Sequence, residues 1–514
     1  MNTLAPLVLA LLLATLDGGA ATGPASDDTS PFSRSRWIAE QEARGTARFE
    51  GGVLPMDRED YERLRERLET SLDSLPLQAP ARPAPARFTR ISRDLLKPNG
   101  GRAQPETQTE PFVAINPERE THLLAGYQES RFDDGGARAL TFAVSRNGGR
   151  TWKEGLVPKL TLASGGPFER ASDPWVAIGP GGRAYYVSLG FNETNRANGV
   201  FVSISQNGGS TWAAPVTVHA NSNTDFDDKE SIAVDNQPDS PFRGRVYVGW
   251  DTAIGNGVQP ARIAYSADGG GSFTPFRTLD NQGQSLGVIP IAGPGGVVHA
   301  VWTRFVSNSA TLMSARSEDG GDTWSAPVAI AQIFAAGVEG LRTGDGLASV
   351  AVDRQTGILY VVWQDDRFSP GTDQVVLSRS SDGGGTWSEP ILVSDGPRDA
   401  PNFTPAVAVN GNGLVGIAYY SLRNDPNRRT FADEYLSISR DQGQSFEPGR
   451  RVSSASWHLG SAAVTEGGLF LGDYQGLVAG RQTFYPVWIA TFLSSRAHRN
   501  RKQPDAVIWP MVVH

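Results

Sequence analysis

The chain of 514 residues contains no cysteine, and charged side chains make up only 20 % of it. Without thiols there is no disulfide, no thiolate nucleophile and no cysteine-ligated zinc, so an exported fold of this sequence would rest on its core alone. The six histidines, at 122, 219, 299, 458, 498 and 514, show no metal-ligand spacing. A Gly-x-Ser-x-Gly elbow, a P-loop and a dinucleotide fingerprint are all missing. A net charge of −8 argues against a nucleic-acid backbone as partner. Apart from the first residues, no apolar run comes near bilayer-spanning length.

What the chain does have is an eight-residue box that recurs six times. SRNGGRTW starts at Ser145, SQNGGSTW at Ser205, SADGGGSF at Ser266, SEDGGDTW at Ser317, SSDGGGTW at Ser380 and SRDQGQSF at Ser439. Spacings of 51 to 63 residues mark copies of one unit, the signature of a repeat architecture. Alternating apolar residues enter each box, as in Leu140-Phe142-Val144, which is strand patterning. The third position, always Asn or Asp (Asn147, Asn207, Asp268, Asp319, Asp382, Asp441), can accept backbone N–H bonds within its own turn. Glycines supply the left-handed turn, and a closing Trp or Phe is left to pack between strands. The box reads as a structural staple, not as catalytic machinery.

The pattern Ser-x-Asp-x-Gly-x-Thr-Trp resembles the Asp box, or BNR repeat, of the sialidase superfamily of β-propellers. That resemblance implies an all-β fold. Seven strand pairs refine it: openings at 110–117, 173–180, 230–237, 286–293, 346–353 and 404–411, and a seventh, FLGDYQGL, at 470–477 with no box after it. The expectation is a seven-bladed β-propeller over 88–514, with six blades as the alternative. The last blade would be completed by AVIWPMVV (506–513) and by FTRIS (88–92) from before the first, which hides two sheet edges. Sialidases proper have six blades, so the count departs from the enzymes.

Ahead of the repeats, Leu4 to Leu16 is an apolar run followed by small residues, expected to be a signal peptide over 1–21 and to direct secretion. Residues 22–87 form an N-terminal extension. Within it Tyr61, Leu64, Leu68, Leu72 and Leu75 line one side of a helix expected at about 57–75, and 76–87 is a Pro-rich linker.

In a four-stranded blade the boxes share one face, and the other face collects residues before each first strand and after each second strand. On that face stand Glu110, Asp173, Asp228, Lys229, Glu230, Arg342, Asp473 and Tyr474 before first strands, and Arg131, Asp251, Arg304, Asp366, Arg367 and Arg423 after second strands. Arginine forks grip carboxylates, and tryptophans beside carboxylates suit sugar rings. Sialidases use a Tyr nucleophile helped by a Glu, and Tyr474 at the last inner strand is similar in position, with Glu110 of the first blade in reach and Asp473 beside it. The resemblance thus implies Tyr474, Glu110 and Asp473 as catalytic. Arg131, Asp228, Glu230, Asp251, Arg304, Arg342, Asp366, Arg367 and Arg423 are the substrate-binding candidates. One departure counts against sialic acid: Glu110 stands where the enzymes carry the first of three arginines. The expected function is an exo-acting glycoside hydrolase on glycans; a non-catalytic propeller binding a glycan or a protein is the alternative. No cofactor is expected. Calcium held by Asp227-Asp228 with Asp173 or Asp251 has suitable oxygens but lacks the Asp-x-Asp loop spacing. A monomer is expected.

Overall fold

In the computed structural model, residues 32–45, 47, 88–98, 101–307, 309–492 and 503–513 are described. The apolar start, the helix expected at 57–75 and the linker at 76–87 lie outside them. Among the described residues one α-helix, α1 (Arg34–Ala43), is followed by strands, short 3-10 turns and loops. The sequence pattern gave no sign of α1: RSRWIAEQEA carries no apolar stripe, and its two buried residues, Arg34 and Gln41, are polar.

Seven strands open the repeating sheets: β1 (Phe112–Asn116), β2 (Arg170–Ile178), β3 (Phe226–Val234), β4 (Gln284–Ala292), β5 (Ser349–Val352), β6 (Asn402–Val409) and β7 (Gly476–Ala479). Each pairs antiparallel with the strand that follows it, and each begins a four-stranded antiparallel meander. The backbones of the first two meanders pair at a single bridge, Ala137 to Ala171. The seventh borrows its outer strand from the other end of the chain. Thr483–Thr491 pairs with Pro504–Ile508, and Thr89–Arg90 lies against that strand with Thr89 opposite Ile508.

The core lies between sheets rather than within one layer. Buried apolar clusters join the first and second meanders, the second and third, and so on to the sixth. One large cluster holds Val113 and Tyr127 of the first together with Tyr420 of the sixth and Trp488 of the seventh. Inner strands contact their successors in the same order, with β7 against β1. Trp250, Trp302, Trp363 and Trp488 occupy equivalent second strands and are fully buried, each contributing about 1.5–3 kcal/mol of apolar burial.

Each box lies between the third and fourth strands of its meander, and its hydrogen bonds explain its residue types. In the box at Ser380, the Ser380 hydroxyl donates to Asp382 Oδ1 at 2.8 Å and accepts from the Gly384 N–H at 2.9 Å. Asp382 also accepts the Thr386 N–H at 2.9 Å and the Thr386 hydroxyl at 2.7 Å. The Ser266, Ser317 and Ser439 boxes repeat this pattern. The closing aromatics dock between meanders: Trp212 lies 5.5 Å from Phe142 and 6.0 Å from Tyr186, centroid to centroid.

Candidate functional site

Aligning the seven inner strands by their Val-Ala-Ile-like cores puts Glu110, Asp173, Lys229, Gly287, Leu347, Thr404 and Tyr474 at one register position. Five of these have left-handed backbones: Glu110 (φ 52°), Asp173 (50°), Lys229 (49°), Gly287 (68°) and Thr404 (48°). Register shifts in β2, β3, β4 and β6 fall at the same place. A bulge of this kind re-aims a side chain, and non-glycine residues with φ above zero cost about 1–3 kcal/mol each. Charged residues at this costly position mark it as a candidate site.

Lys229 is at the centre. Its Nζ lies 2.5 Å from Asp473 Oδ2, 3.2 Å from Asp173 Oδ1 and 3.8 Å from Glu110 Oε1. Burial works to lower the Lys229 pKa, but the surrounding carboxylates outweigh it and hold the ammonium well above its ordinary value. A small three-stranded sheet supplies the other cation. Leu341–Arg342 runs parallel to Gly468–Phe470 and thereby places Arg342 on Asp473 in a two-pronged contact, 2.8 Å from Nε and 2.5 Å from Nη2. Gly344 makes the approach possible: a β-carbon there would sit 2.2 Å from the Asp473 carbonyl oxygen, and its φ is 68°.

The two carboxyls that flank Lys229 are driven apart electrically. Burial, with the nearby Asp173 charge, pushes Glu110 up to about 7 despite Lys229. For Asp473 burial pulls the same way, yet Arg342 and Lys229 overcome it and hold that carboxyl well below the usual range. Gln128 donates to Glu110, and also to Ser172 Oγ at 2.9 Å; its own oxygen receives Arg131 Nη1 at 2.6 Å. Arg131 stacks over Phe470 at 4.2 Å, and its buried Nε finds no hydrogen-bond partner.

These groups line a cleft that Glu110, Arg131, Asp173, Asp228, Lys229 and Arg342 share with residues of α1. A smaller pocket shares Asp173 and Lys229 with it, and Trp175, Glu230, Leu347 and Tyr474 also line it. Asp228 and Asp251 face each other across β3 and its partner strand, and burial raises both well above the ordinary carboxyl range. Asp251 accepts from Gln259 and from the Gly287 N–H, whereas Asp228 Oδ2 and both Glu230 oxygens are buried without a partner.

Tyr474 packs beside Phe112 and Trp175, with ring centroids 6.3 and 5.5 Å away. Its hydroxyl donates to the Pro174 carbonyl at 3.4 Å and not to Glu110, and burial raises the phenol well above its ordinary pKa. Four residues expected at the site pair elsewhere. Arg304 holds Asp280, Arg367 holds Asp365, Arg423 holds Asp395, and Asp366 caps the Gly371 N–H in its own turn. Of the carboxylates weighed for calcium, Asp227 accepts from Thr252 and from His219, each at 2.7 Å, and Asp173 is paired with Lys229.

No family model matches the sequence, and no curated protein matches it. Among solved structures, similar ones include a protein of unknown function from Dyadobacter fermentans, at 13 % identity over 80 % of this chain and 97 % of that one, with a TM-score of 0.45. A Hadza microbial sialidase is similar at 14 % identity over 73 % of each chain, TM-score 0.45. An α-L-arabinanase of Penicillium chrysogenum is similar at 12 % identity over 66 % of this chain and 93 % of that one, TM-score 0.42. At TM-scores below 0.5 these likenesses assign neither a fold nor a chemistry to the chain.

Proposed function

We propose that the chain is a secreted, closed seven-bladed β-propeller that acts on glycans as an exo-acting glycoside hydrolase at the Lys229 cluster. Support for the ring comes from the order of the intersheet clusters, which run from meander to meander and return from the seventh to the first. The observation that carries the chemistry is the pair Glu110 and Asp473. They share one ammonium and titrate in opposite directions, the pattern that separates an acid/base from a permanently charged group. In this reading Glu110 moves the proton, and Asp228, whose carboxyl burial raises well above its usual range and which lines the same cleft, is a second acid. Asp473 fixes Lys229 and Arg342 rather than reacting. Tyr474 serves as nucleophile only when its hydroxyl leaves the Pro174 carbonyl, and Glu110 then takes its proton.

Screening the purified protein against fluorogenic glycosides, sialosides included, tests this. On a turned-over substrate, Glu110→Gln should lower kcat by about 10²-fold or more with the fold intact. Glycan binding without turnover of any glycoside moves the assignment to a binding propeller. One observation favours that second reading: Asp473 is fully paired and the Tyr474 hydroxyl is already satisfied, so the centre also works as a built ion network.

A further inference from the structure

Helix α1 is seated on the mouth of the central cleft, where Ser35, Ile38 and Glu42 line the same space as Lys229 and Arg342. Its seat is specific. Ser33 caps the helix by accepting the Arg36 N–H. The Glu193 carboxylate, on the second meander, accepts from the Ser33 hydroxyl at 2.6 Å and from the Ser35 hydroxyl at 2.7 Å. Arg34 donates to the Arg196 carbonyl at 2.9 Å and lies over the Phe226 ring at 4.8 Å. Beyond the helix, the Gly45 carbonyl accepts from Gln284 of the fourth meander.

The same seat is weakly held. A ten-residue helix is too short to persist by itself in water, so α1 exists only while docked. Its apolar contribution is small: Trp37, Ile38 and Ala47 against Leu189, Phe191, Phe226 and Ala253. Its buried anchor is frustrated, because Arg34 Nε and Nη1 are buried with no hydrogen-bond partner. A buried donor without a partner has lost its bonds to water, and undocking restores them. Nothing in the strand pairing of the seven meanders includes residues 32–45.

We infer that α1 and its flanking described residues (32–45) form a removable plug, an internal occupant that restricts access to the central cleft until it undocks.

The test uses the full chain and needs no substrate, so it stands or falls separately from the hydrolase reading. Because the chain has no cysteine, Ser172→Cys puts a single thiol on the cleft wall. Its reaction with a bulky maleimide should be slow, and should accelerate at least tenfold when Arg34→Ala or Ile38→Asp is added. In the same variants residues 32–45 should lose amide-exchange protection while the strands keep theirs. An unchanged thiol rate with α1 released would overturn the plug, since the helix would not then control access. Loss of strand protection or of the folded chain in both variants would overturn it too, because α1 would be part of the core.

Discussion

The rim of boxes and the Lys229 centre are built from the same repeat, and they treat polar groups in opposite ways. At the rim every box carboxylate collects several short hydrogen bonds from within eight residues, on turns whose left-handed positions are glycines, save Gln442 in the sixth box. These carboxylates are little buried and are satisfied within their own turns, as a hairpin staple requires. At the centre, Glu110, Asp173 and Lys229 take the left-handed position without being glycine, and Glu230 and Arg131 bury polar atoms that find no partner. Local satisfaction identifies scaffold. Strain with unpaired buried charge identifies a site.

Removing the cation should separate the two regions most sharply. Lys229→Met leaves Asp173, Asp473 and Glu110 buried around an apolar chain, and breaking a buried ion pair from one side costs about 3–5 kcal/mol. Urea unfolding should show that loss; a change below about 1 kcal/mol would mean the cluster is wetter than its burial implies. Next in size is Gly344→Ala. The added carbon meets the Asp473 carbonyl and the backbone disfavours it, so the expected loss exceeds about 1 kcal/mol and the Arg342 contact opens. On the rim, Asp382→Ala should cost about 1 kcal/mol or less, since its bonds are exposed and compete with water.

Acid and base should split the regions by sign. The box aspartates Asp268, Asp319, Asp382 and Asp441 titrate at about 2, held down by their hydrogen bonds, below the unfolded value of about 3.9. The stability they add is present above pH 4 and fades as pH falls through 2. Glu110, at about 7 in the folded chain, lies above its unfolded value of about 4.3. Its contribution is complete below pH 4 and is lost as pH rises towards 7. Glu110→Gln should therefore flatten the stability profile between pH 4.5 and 7 and leave the acid limb unchanged. A variant profile parallel to that of the parent chain would contradict the assignment.

The rim was readable from sequence because its causes are local: one turn of eight residues, repeated, with an Asp or Asn side chain bonded inside it each time. The inner strands were readable for the same reason, through alternation into Gly, Pro or Asn. The centre was only half readable. Asp173 and Lys229 appeared as members of a charged face, but nothing local says that Lys229 reaches Asp473, which is 244 residues away. Aligning the openings on Val113, Val176, Ile232, Val350 and Val407 would have found the shared register. Arg304, Arg367 and Arg423 were candidates by composition and proved to be paired with nearby carboxylates. Helix α1 escaped notice because its seat, not its own pattern, stabilises it.

The smallest expected effect tests the most specific claim about the centre. Tyr474 gives one long hydrogen bond to a backbone carbonyl, so Tyr474→Phe should change stability by less than about 1.5 kcal/mol. Its ring contacts with Phe112 and Trp175 do not involve the hydroxyl and survive the substitution. Any large effect must then be chemical. If the phenol is the nucleophile, turnover on the best glycoside falls to background while ligand binding persists, and Glu110→Gln is the milder lesion because it removes a base and leaves the nucleophile. If Glu110 and Asp228 carry the reaction with Tyr474 as a wall, Tyr474→Phe keeps most of kcat and Glu110→Gln loses it. Measuring kcat and KM for the two variants side by side decides between these, because each mechanism requires the opposite ranking.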